Sequence, residues 1–563
     1  MFDNVIRPVI ADPNLSDYAG TCRSFSWQDA DRHFTWQATG KINIAHEAID
    51  RHAADPHRSE KVCLICPQAS GSTVYTYSRM RNLSNRFANV LKKLGIGTSD
   101  RVCLFLPGIP EFYIAMAGCA KAGAIIVPLY SDYMAGAVKS RMQDARPKAI
   151  VTDADHIGRI PLDELPDLEH VIIAGDDQGC ARFRSWNREM DAASPCFEPV
   201  WLEPVDPFLI IYTSGPDGSP VGLVHVHEAM KGYLMTARWV LDIRDDDVVF
   251  TLGRPGWFMS IVYSAFAPWL CGVASVVCDV PDTAGELYQA IEHSGATVLY
   301  TTPSVYSLMT DAGPDYARNF NCSRLRHLLS VLSPLSPEMI FAVMALLKLL
   351  VHDTWWSAET GMITIANMAC LPIKPGYLGK PCPGLVTAVL DEHGNDAPYF
   401  EMGRLALRPP WPAMARGIWG QGSRALHDPD SRSWFMTGDV AFIDHEGYYF
   451  YQGRADDAVI TSAGKINISE IEQALRRHPA AADAAVVRAA APGEPKRIRA
   501  FVVPAPGFKP VAELERAIID HVGRMLSPDI ALASIHWCSV LPRHSDGRIN
   551  TLALKASLLG LTD

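Results

Sequence analysis

The sequence predicts an α/β protein with largely parallel sheets, because helical and strand-like segments alternate along most of the chain. Residues 85–96 ("NRFANVLKKLGI") carry apolar side chains at helical spacing and include a glycine near the end. Residues 100–107 ("DRVCLFLP") then form a continuous apolar run, which is typical of a strand buried on both faces. Helix followed by buried strand is the order expected of parallel strands joined by helical crossovers.

Four later segments support the same fold class. Their apolar runs are short enough for strands, and turn residues separate them. They are "AMAGCAKAGAIIVPLY" (115–130), "KAIVTDADH" (148–156), "ATVLYTTPS" (296–304) and "RHLLSVLSP" (326–334). The sequence contains no internal repeat and no low-complexity tract.

The length of 563 residues predicts at least two domains, since single cores rarely grow so large. The clearest boundary lies in residues 448–479, where an aromatic strand ends at Gly453 and a charged turn follows. We therefore expect an N-terminal domain over residues 1–452 and a small α+β domain over residues 453–563. Ser469 and Glu472 have the spacing of a capping box, which predicts a helix beginning after Ser469.

Composition excludes several classes of protein. The net charge of -11 argues against a nucleic-acid scaffold, which needs a basic surface. No apolar run reaches the roughly 18 residues that a membrane span requires, and the first residues lack the pattern of a secretory signal. The 13 cysteines are scattered apart from Cys63 and Cys66, which we interpret as buried reduced thiols. These features predict a cytoplasmic protein that binds neither nucleic acid nor membranes.

Residues 212–227 ("YTSGPDGSPVGLVHVH") have the outline of a phosphate-binding loop but the wrong chemistry inside it. Such loops hold phosphate with backbone N–H groups, small hydroxyls and a lysine. Here Pro216 removes one N–H donor, Asp217 adds a negative charge, and no lysine is present. The loop therefore predicts weakened phosphate binding.

Three further motifs occur in a fixed order: "DTWWSAETG" (353–361), "FMTGD" (435–439) and "GRADD" (453–457). With these motifs the chain resembles the AMP-forming acyl-CoA synthetases of the adenylate-forming superfamily, and in particular acetate–CoA ligases. The resemblance implies a large multi-sheet N-terminal domain and a small mobile C-terminal domain that rotates about a hinge at Asp456. It also implies ATP, Mg²⁺ and coenzyme A as cofactors, and a small carboxylate as substrate.

The resemblance assigns roles to individual residues. For the nucleotide it implies Asp353, Thr354, Trp355, Asp439, Arg454 and the loop residues Ser214, Gly215 and Gly218. For magnesium it implies Glu359, and for coenzyme A it implies Ala463 and Gly464. The catalytic positions are Glu359, Lys465 and Arg548, and the acyl pocket is formed by Trp356, Phe258, Met259 and Val331.

Several of these positions depart from the family's pattern where phosphate is handled. Hydroxyl residues and lysine stand in the family where this chain has Pro216, Asp217, Ser219 and Val221. Ala358 replaces a threonine, Leu332 and Ser333 replace glycine and glutamate, and Ile460 replaces a lysine. Arg548 stands in place of the catalytic lysine, Lys465 in place of an arginine, and Ala463 in place of a glycine. Arginine keeps the positive charge of lysine but not its compact geometry.

The acyl pocket is predicted to be short. Trp356 matches the tryptophan that limits the pocket in acetate-specific members, and Phe258 and Met259 replace smaller residues there. Bulky side chains in a short pocket leave room for at most a very small acyl group, although simple filling of the core explains them equally well.

Three functions stay open at this point. The chain is a ligase for a short carboxylate with weakened adenylation, or a paralogue that binds nucleotide or acyl-CoA without catalysis. The third alternative is an enzyme that acts on preformed acyl-CoA or acyl-AMP without ATP. A homo-oligomer, or a hetero-complex with an active paralogue, is compatible with each alternative.

Overall fold

The computed structural model of the protein describes residues 5–7, 10–36, 39–68, 71–175, 183–214, 220–420, 433–454, 458–461, 464–489, 497–526, 530, 532–543 and 549–558. The chain divides into two compact units. The first contains Met1–Val386 and Arg408–Ser433, and the second contains Thr387–Leu407 and Trp434–Asp563. The second unit therefore takes in residues well before position 453. The domain boundary at 452/453 stays a prediction, because residues 455–457 lie outside the described residues.

An eight-stranded sheet forms one half of the first unit, in the order β19-β9-β8-β4-β3-β5-β6-β7. Its strands are β3 (Arg101–Phe105), β4 (Ile125–Pro128), β5 (Ala149–Asp153), β6 (His170–Ala174), β7 (Arg184–Ser185), β8 (Pro207–Ser214), β9 (Pro220–Val226) and β19 (Gly417–Ile418). All pairings from β8 to β7 are parallel, whereas β9 runs antiparallel to both of its neighbours. The β8–β9 hairpin encloses the unusual loop.

A nine-stranded sheet forms the other half, in the order β16-β15-β14-β13-β12-β10-β11-β1-β2. Its strands are β1 (Val62–Gln68), β2 (Gly71–Thr76), β10 (Val248–Thr251), β11 (Ala274–Val276), β12 (Val298–Thr301), β13 (His327–Ser330), β14 (Val351–Trp355), β15 (Ile365–Ala366) and β16 (Lys380–Pro381). The six central strands pair in parallel. The largely parallel α/β architecture that the sequence predicts is confirmed.

Helices connect and cover these sheets. The α-helices of the first unit are α1 (Tyr18–Ser24), α2 (Arg51–Ala54), α3 (Tyr77–Lys93), α4 (Pro110–Lys121), α5 (Ala135–Ala145), α6 (Trp186–Ala192), α7 (Met230–Trp239), α8 (Phe258–Ile261), α9 (Ala267–Cys271), α10 (Ala284–Ser294), α11 (Pro303–Ala317) and α12 (Pro337–Leu347). Short 3-10 helices span Trp27–His33, Ile157–Arg159, Leu162–Glu164 and His227–Ala229, and π-helical turns span His46–Asp50 and Val262–Phe266.

The predicted helix at 85–96 is the C-terminal half of α3, which begins eight residues earlier at Tyr77. Thr76 explains this start, because its hydroxyl accepts a hydrogen bond from the backbone N–H of Arg79. The strand predicted at 100–107 is β3, whose side chains from Val102 onward are buried. Burial of each large apolar side chain in these strands contributes about 1.5–3 kcal/mol to folding.

The second unit contains three smaller sheets. The first sheet has four strands in the order β17-β18-β20-β21. The second consists of β22 and β23, and the third has the order β24-β25-β26. The strands are β17 (Thr387–Leu390), β18 (Gly403–Leu407), β20 (Phe435–Ile443), β21 (Tyr449–Arg454), β22 (Ala458–Thr461), β23 (Gly464–Asn467), β24 (Ala481–Ala489), β25 (Arg497–Pro504) and β26 (Leu532–Trp537). The helices are α13 (Ile468–Arg476), α14 (Ala512–Met525) and α15 (Thr551–Ser557).

The predicted capping box at the start of α13 is wrong. The helix begins at Ile468, so Ser469 lies inside its first turn and not before it. The Glu472 carboxylate accepts a hydrogen bond from the N–H of Val486 (2.9 Å) and pairs with Arg476 (3.3 Å). The Glu472 side chain, which the local pattern assigned to helix capping, thus contacts β24 instead.

Cys63 and Cys66 are buried free thiols, as predicted. Burial raises the pKa of Cys66 to about 12, so that thiol is not reactive. Within the described ranges, no three His, Cys, Asp or Glu residues come together as metal ligands, and no described helix could cross a membrane.

Candidate active site

Two buried rings and one half-buried ring pack together in the first unit where the resemblance places the acyl group. Phe258 begins α8 and is only 4% exposed. Its ring centroid lies 5.4 Å from that of Trp356 and 4.5 Å from that of His225. Phe258 thus contacts one ring from earlier in the chain and one from later in it. We call Phe258, Trp356 and His225 the aromatic wall.

Hydrogen bonds fix the tryptophan of the aromatic wall. The Trp356 indole Nε1–H donates to the hydroxyl of Tyr300 (2.9 Å), and that hydroxyl also lies 2.8 Å from Thr354 Oγ1. Thr354 in turn donates to the Ser330 carbonyl (2.7 Å). A bulky ring held by such a network cannot swing away at low cost, because the buried donors would lose their partners.

Met259 and Val331, the other predicted pocket residues, are both buried. Met259 follows Phe258 in α8, and Val331 follows β13 directly. The side chains of Phe258 and Met259 are therefore part of the packed interior, and their role in an acyl pocket stays a prediction.

His225 was not among the residues predicted from the sequence, although it stands in the quoted stretch "VHVH". It lies on β9 and is fully buried, and burial lowers its pKa to about 3. The ring is therefore neutral at physiological pH. The only signal in the sequence was a histidine at an inward-facing position of an otherwise apolar strand, which is ambiguous by itself.

Asp353 is a buried carboxylate on β14. Its two oxygens accept hydrogen bonds from the N–H groups of Leu335 and Thr354, both at 3.0 Å. Burial raises its pKa to about 7, against the effect of these two donors. Trp355, which the resemblance also assigns to the nucleotide, is buried as well.

Leu332 occupies a backbone conformation that favours glycine. Its φ is +92°, and the resemblance places a glycine at this position. A non-glycine residue at positive φ typically costs on the order of 1–3 kcal/mol. The chain therefore places a leucine in a backbone conformation that suits the glycine implied by the resemblance.

Replacing Leu332 tests this strain. Leu332→Gly and Leu332→Ala remove the same contacts beyond Cβ, but only glycine accepts the positive φ without strain. We expect the glycine variant to be more stable than the alanine variant by about 1 kcal/mol in urea unfolding. The control is Ala342→Gly in the exposed middle of α12, where glycine should instead cost about 1 kcal/mol. If glycine were less stable than alanine by the same amount at positions 332 and 342, the backbone strain at Leu332 would be contradicted.

Glu359 lies in a tight turn after β14. Ser357 and Thr360 exchange backbone-to-hydroxyl hydrogen bonds of 2.9 and 3.3 Å across this turn. Gly361 has a φ of +76°, and a Cβ there would stand 1.7 Å from the Ala413 carbonyl oxygen, so only glycine fits. The half-buried carboxylate of Glu359 makes no hydrogen bond or ion pair with the part of the chain that the structure describes.

A single free carboxylate fits magnesium better than it fits most other metals. Mg²⁺ keeps several waters and is usually held by one or two carboxylates together with the phosphates of a substrate. Glu359 offers such a ligand. Ala358, its neighbour, carries no hydroxyl with which to contact a phosphate.

The second unit holds the predicted ribose-binding pair. Asp439 on β20 lies opposite Arg454 on β21, and Arg454 Nη1 donates to the buried Asp439 carboxylate at 3.2 Å. The same guanidinium donates to the Thr437 carbonyl (3.1 Å). A Cβ on Gly438 (φ +79°) would stand 2.6 Å from this guanidinium, so a larger residue would displace it. The structure thus brings Asp439 and Arg454 together.

The remaining predicted residues cannot be placed. Eight of the positions discussed above lie outside the described residues: Gly215, Pro216, Asp217, Gly218, Ser219, Asp456, Ala463 and Arg548. For Ser214, Ile460, Gly464 and Lys465 only the backbone strand is described. Val221 is described, as a half-buried residue paired with Thr213. The roles of these residues stay predictions.

Comparison with known proteins agrees with this arrangement of motifs. Residues 50–419 match the family described as AMP-binding enzyme, and residues 470–548 match the AMP-binding enzyme C-terminal domain. The acetyl-coenzyme A synthetase of Bacillus subtilis is 38% identical over 98% of this chain and 96% of its own length. That of Methanothrix soehngenii is 33% identical over 94% of this chain and 84% of its own length.

Solved structures show the same fold. An acyl-CoA synthetase from Brucella canis superimposes with a TM-score of 0.75 at 28% identity, over 97% of this chain and 99% of that one. The anthranilate CoA ligase AuaEII gives a TM-score of 0.79 at 23% identity, over 92% and 98% of the two chains. The chain therefore belongs to the AMP-binding enzymes and, within them, to the acyl-CoA synthetases, with acetyl-coenzyme A synthetases among its relatives.

Proposed function

We propose that this protein is an AMP-forming acyl-CoA synthetase for a one- or two-carbon carboxylate whose adenylation step is weakened. In the reaction of the class, a carboxylate oxygen attacks the α-phosphorus of ATP, giving acyl-AMP and releasing pyrophosphate. The thiolate of coenzyme A then attacks the acyl carbonyl carbon, and AMP leaves as the thioester forms. The nucleotide named by the family match and the coenzyme A named by the relatives support this class.

The observation that carries the substrate size is the aromatic wall. Phe258 is packed between His225 and Trp356, and the hydrogen bond from Trp356 to Tyr300 holds the wall in place. A propionate or longer acid would have to displace a buried ring. Displacement of a packed aromatic side chain costs several times the roughly 0.8 kcal/mol that one extra methylene contributes.

The sequence of the loop supports weakened adenylation. Near a phosphate at ~4 Å and an effective dielectric constant of about 20, the charge of Asp217 would cost around 4 kcal/mol as an upper guide. Mg²⁺ bound at Glu359 would offset part of that cost by neutralising phosphate charge. Arg548 supplies positive charge in place of the family's lysine, and rotation at Asp456 would bring Lys465, Ala463 and Gly464 to the second step.

A second function rests on the same loop. If Pro216 and Asp217 abolish adenylation altogether, the protein is a paralogue that binds nucleotide or acyl-CoA and acts alone or with an active subunit. An enzyme that acts on preformed acyl-CoA would also dispense with the loop. A cytoplasmic location stays a prediction under each alternative.

An acid panel tests the proposed substrate. Pyrophosphate release from ATP is measured with formate, acetate, propionate and butyrate, for wild type and for a Phe258→Val, Met259→Thr variant. Wild type should react slowly, with formate at least as good as acetate. The variant should shift the preference toward propionate by about ten-fold or more, since pocket volume now admits the extra methylene.

Phe266→Val is the matched control for this panel. Phe266 is also a buried aromatic residue, but its neighbours are Phe208 and Trp269, outside the aromatic wall. The control should lose stability without changing the order of the acids. Butyrate turnover by wild type at the rate of acetate would contradict the proposed pocket.

A further inference from the structure

A cavity of about 610 Å³ in the first unit is lined by five arginines. It lies among the 3-10 helix Trp27–His33, helix α2 with the turn after it, and the C-terminal ends of α7 and α9. The arginines are Arg32, Arg51, Arg58, Arg238 and Arg244. We call this cavity the arginine pocket. None of its lining residues belongs to the predicted nucleotide, acyl or coenzyme A positions.

Three of these arginines have carboxylate partners. Arg51 pairs with Glu47 at 3.1 Å, and Arg244 pairs with Asp242 at 3.2 Å. Arg58 pairs with Asp245 at 2.7 Å, and the same carboxylate is shared with Lys61 at 3.4 Å. Asp245 is the one acidic residue that lines the pocket itself. Arg58 also lies 4.0 Å from the carboxylate of Asp55. Arg32 and Arg238 take part in none of these ion pairs.

Neither Arg32 nor Arg238 forms an ion pair with a carboxylate of the described residues, although hydrogen bonds from Ser26 and, to a lesser extent, the charge of Arg32 lower the pKa of the nearby Asp29. Arg238 instead donates to the ring Nδ1 of His33 at 3.2 Å. Burial, and after it the charges of Arg238 and Arg32, lower the pKa of His33 to about 4. His33 is therefore a neutral acceptor that leaves both arginine charges in place. Two guanidinium groups that form no ion pair, in a concave site lined by three further arginines, attract an anion.

The pocket also contains unmet hydrogen-bonding groups. His52 lines it and is only 7% exposed, and its Nε2 has no hydrogen-bond partner among the described residues. The buried Nε of Arg51 also lacks one. Native proteins rarely leave buried polar atoms unpaired, and an anion bound in the cavity would satisfy the Nε–H of Arg51.

We propose that the arginine pocket binds a phosphate-bearing small molecule, with Arg32 and Arg238 neutralising its charge and the unpaired Nε–H of Arg51 donating to one of its oxygens. A dianionic group matches the two guanidiniums that form no ion pair, whereas a monocarboxylate would leave one of them unpaired. A metal cation is disfavoured by the surrounding positive charge. The proposal does not depend on the acyl-CoA synthetase chemistry, because it involves other residues.

Calorimetry on the full-length protein tests this proposal. Inorganic phosphate and glycerol 2-phosphate are titrated separately at constant ionic strength. Butyrate is the monocarboxylate comparison, because the proposed acyl pocket excludes it. We expect one-to-one binding of at least one phosphate compound and none of butyrate. Tighter binding of glycerol 2-phosphate than of phosphate assigns a phosphate monoester, and the reverse order assigns a free phosphate; both support the pocket.

Variants locate the binding. Arg238→Gln and Arg32→Gln should each weaken it by about ten-fold or more, since each removes a charge-assisted contact. Arg32 is exposed, so its variant keeps the test valid if Arg238→Gln folds poorly. The control, Arg318→Gln, changes an arginine whose side chain is 76% exposed and paired with Asp315 on α11, and should bind as wild type does. Absent binding of both phosphate compounds, tighter binding of butyrate, or unchanged affinity in the Arg32 and Arg238 variants would overturn the proposal.

Discussion

Repair of the phosphate loop should raise the rate of pyrophosphate release with formate or acetate by about ten- to a thousand-fold. The repaired protein carries Pro216→Thr, Asp217→Thr, Ser219→Lys, Val221→Lys and Arg548→Lys. Adenylation expels pyrophosphate, whose charge must be held throughout by preorganised donors. Removal of a repulsion of up to around 4 kcal/mol, at about 1.4 kcal/mol for each factor of ten, sets the upper end of the range.

Two comparisons identify the cause of the gain. Asp217→Thr alone should give a large part of it if charge repulsion dominates, whereas Asp311→Thr removes an exposed negative charge from α11 and should change nothing. If the wild-type protein already reacts at ordinary ligase rates, the hypothesis that the loop weakens adenylation is wrong. If loop repair fails but the Phe258→Val, Met259→Thr variant reacts, the block lies in the acyl pocket.

Replacement of Asp353 by asparagine should change how stability depends on pH. The folded pKa of Asp353 is about 7, well above the roughly 3.9 of an unfolded chain, so the folded state binds the proton more tightly. The contribution of this carboxyl group to stability is therefore present at low pH and is lost as pH rises from about 4 to 7. Asparagine does not titrate and lacks this loss.

The measurement is urea unfolding without nucleotide at pH 5 and pH 8. Between these values, the stability of Asp353→Asn relative to wild type should rise by about 2 to 3 kcal/mol. Any constant cost of the asparagine cancels in this difference. Asp391→Asn is the control: backbone donation by Asn395 lowers the pKa of this exposed carboxylate, which is ionised in both states over the range. A flat difference for Asp353→Asn would show that its carboxyl group ionises normally.

The sequence was sufficient for the fold class because apolar runs such as those at β3 and β13 are short, continuous and separated by turn residues. Element ends were less predictable. Helix α3 starts at Tyr77 because Thr76 caps it, and the capping pattern at Ser469 failed because Glu472 contacts Val486 on β24. Both outcomes depend on local and tertiary hydrogen bonds that apolar periodicity does not encode.

The candidate site was predicted from ordered motifs, and the structure brings part of it together. Phe258 and Trp356 meet although 98 positions separate them, and Asp439 faces Arg454 across two neighbouring strands. His225 was missed because its importance comes from burial against Phe258, which no local pattern shows. The raised pKa of Asp353 likewise arises from burial by the surrounding chain, and the positive φ of Leu332 is hidden by its residue type.

The central claim is that Asp353 and Asp439 still bind the adenosine part of the nucleotide, whereas binding of the β- and γ-phosphates of ATP is weakened. Calorimetric titration of wild type with AMP and, separately, with ATP–Mg tests it most directly, because neither requires an acyl substrate. In the proposed site, Asp353 and Asp439 would contact both nucleotides, whereas Pro216 and Asp217 would affect only the triphosphate. We expect AMP to bind at least as tightly as ATP–Mg. Much tighter binding of ATP–Mg than of AMP would contradict the account.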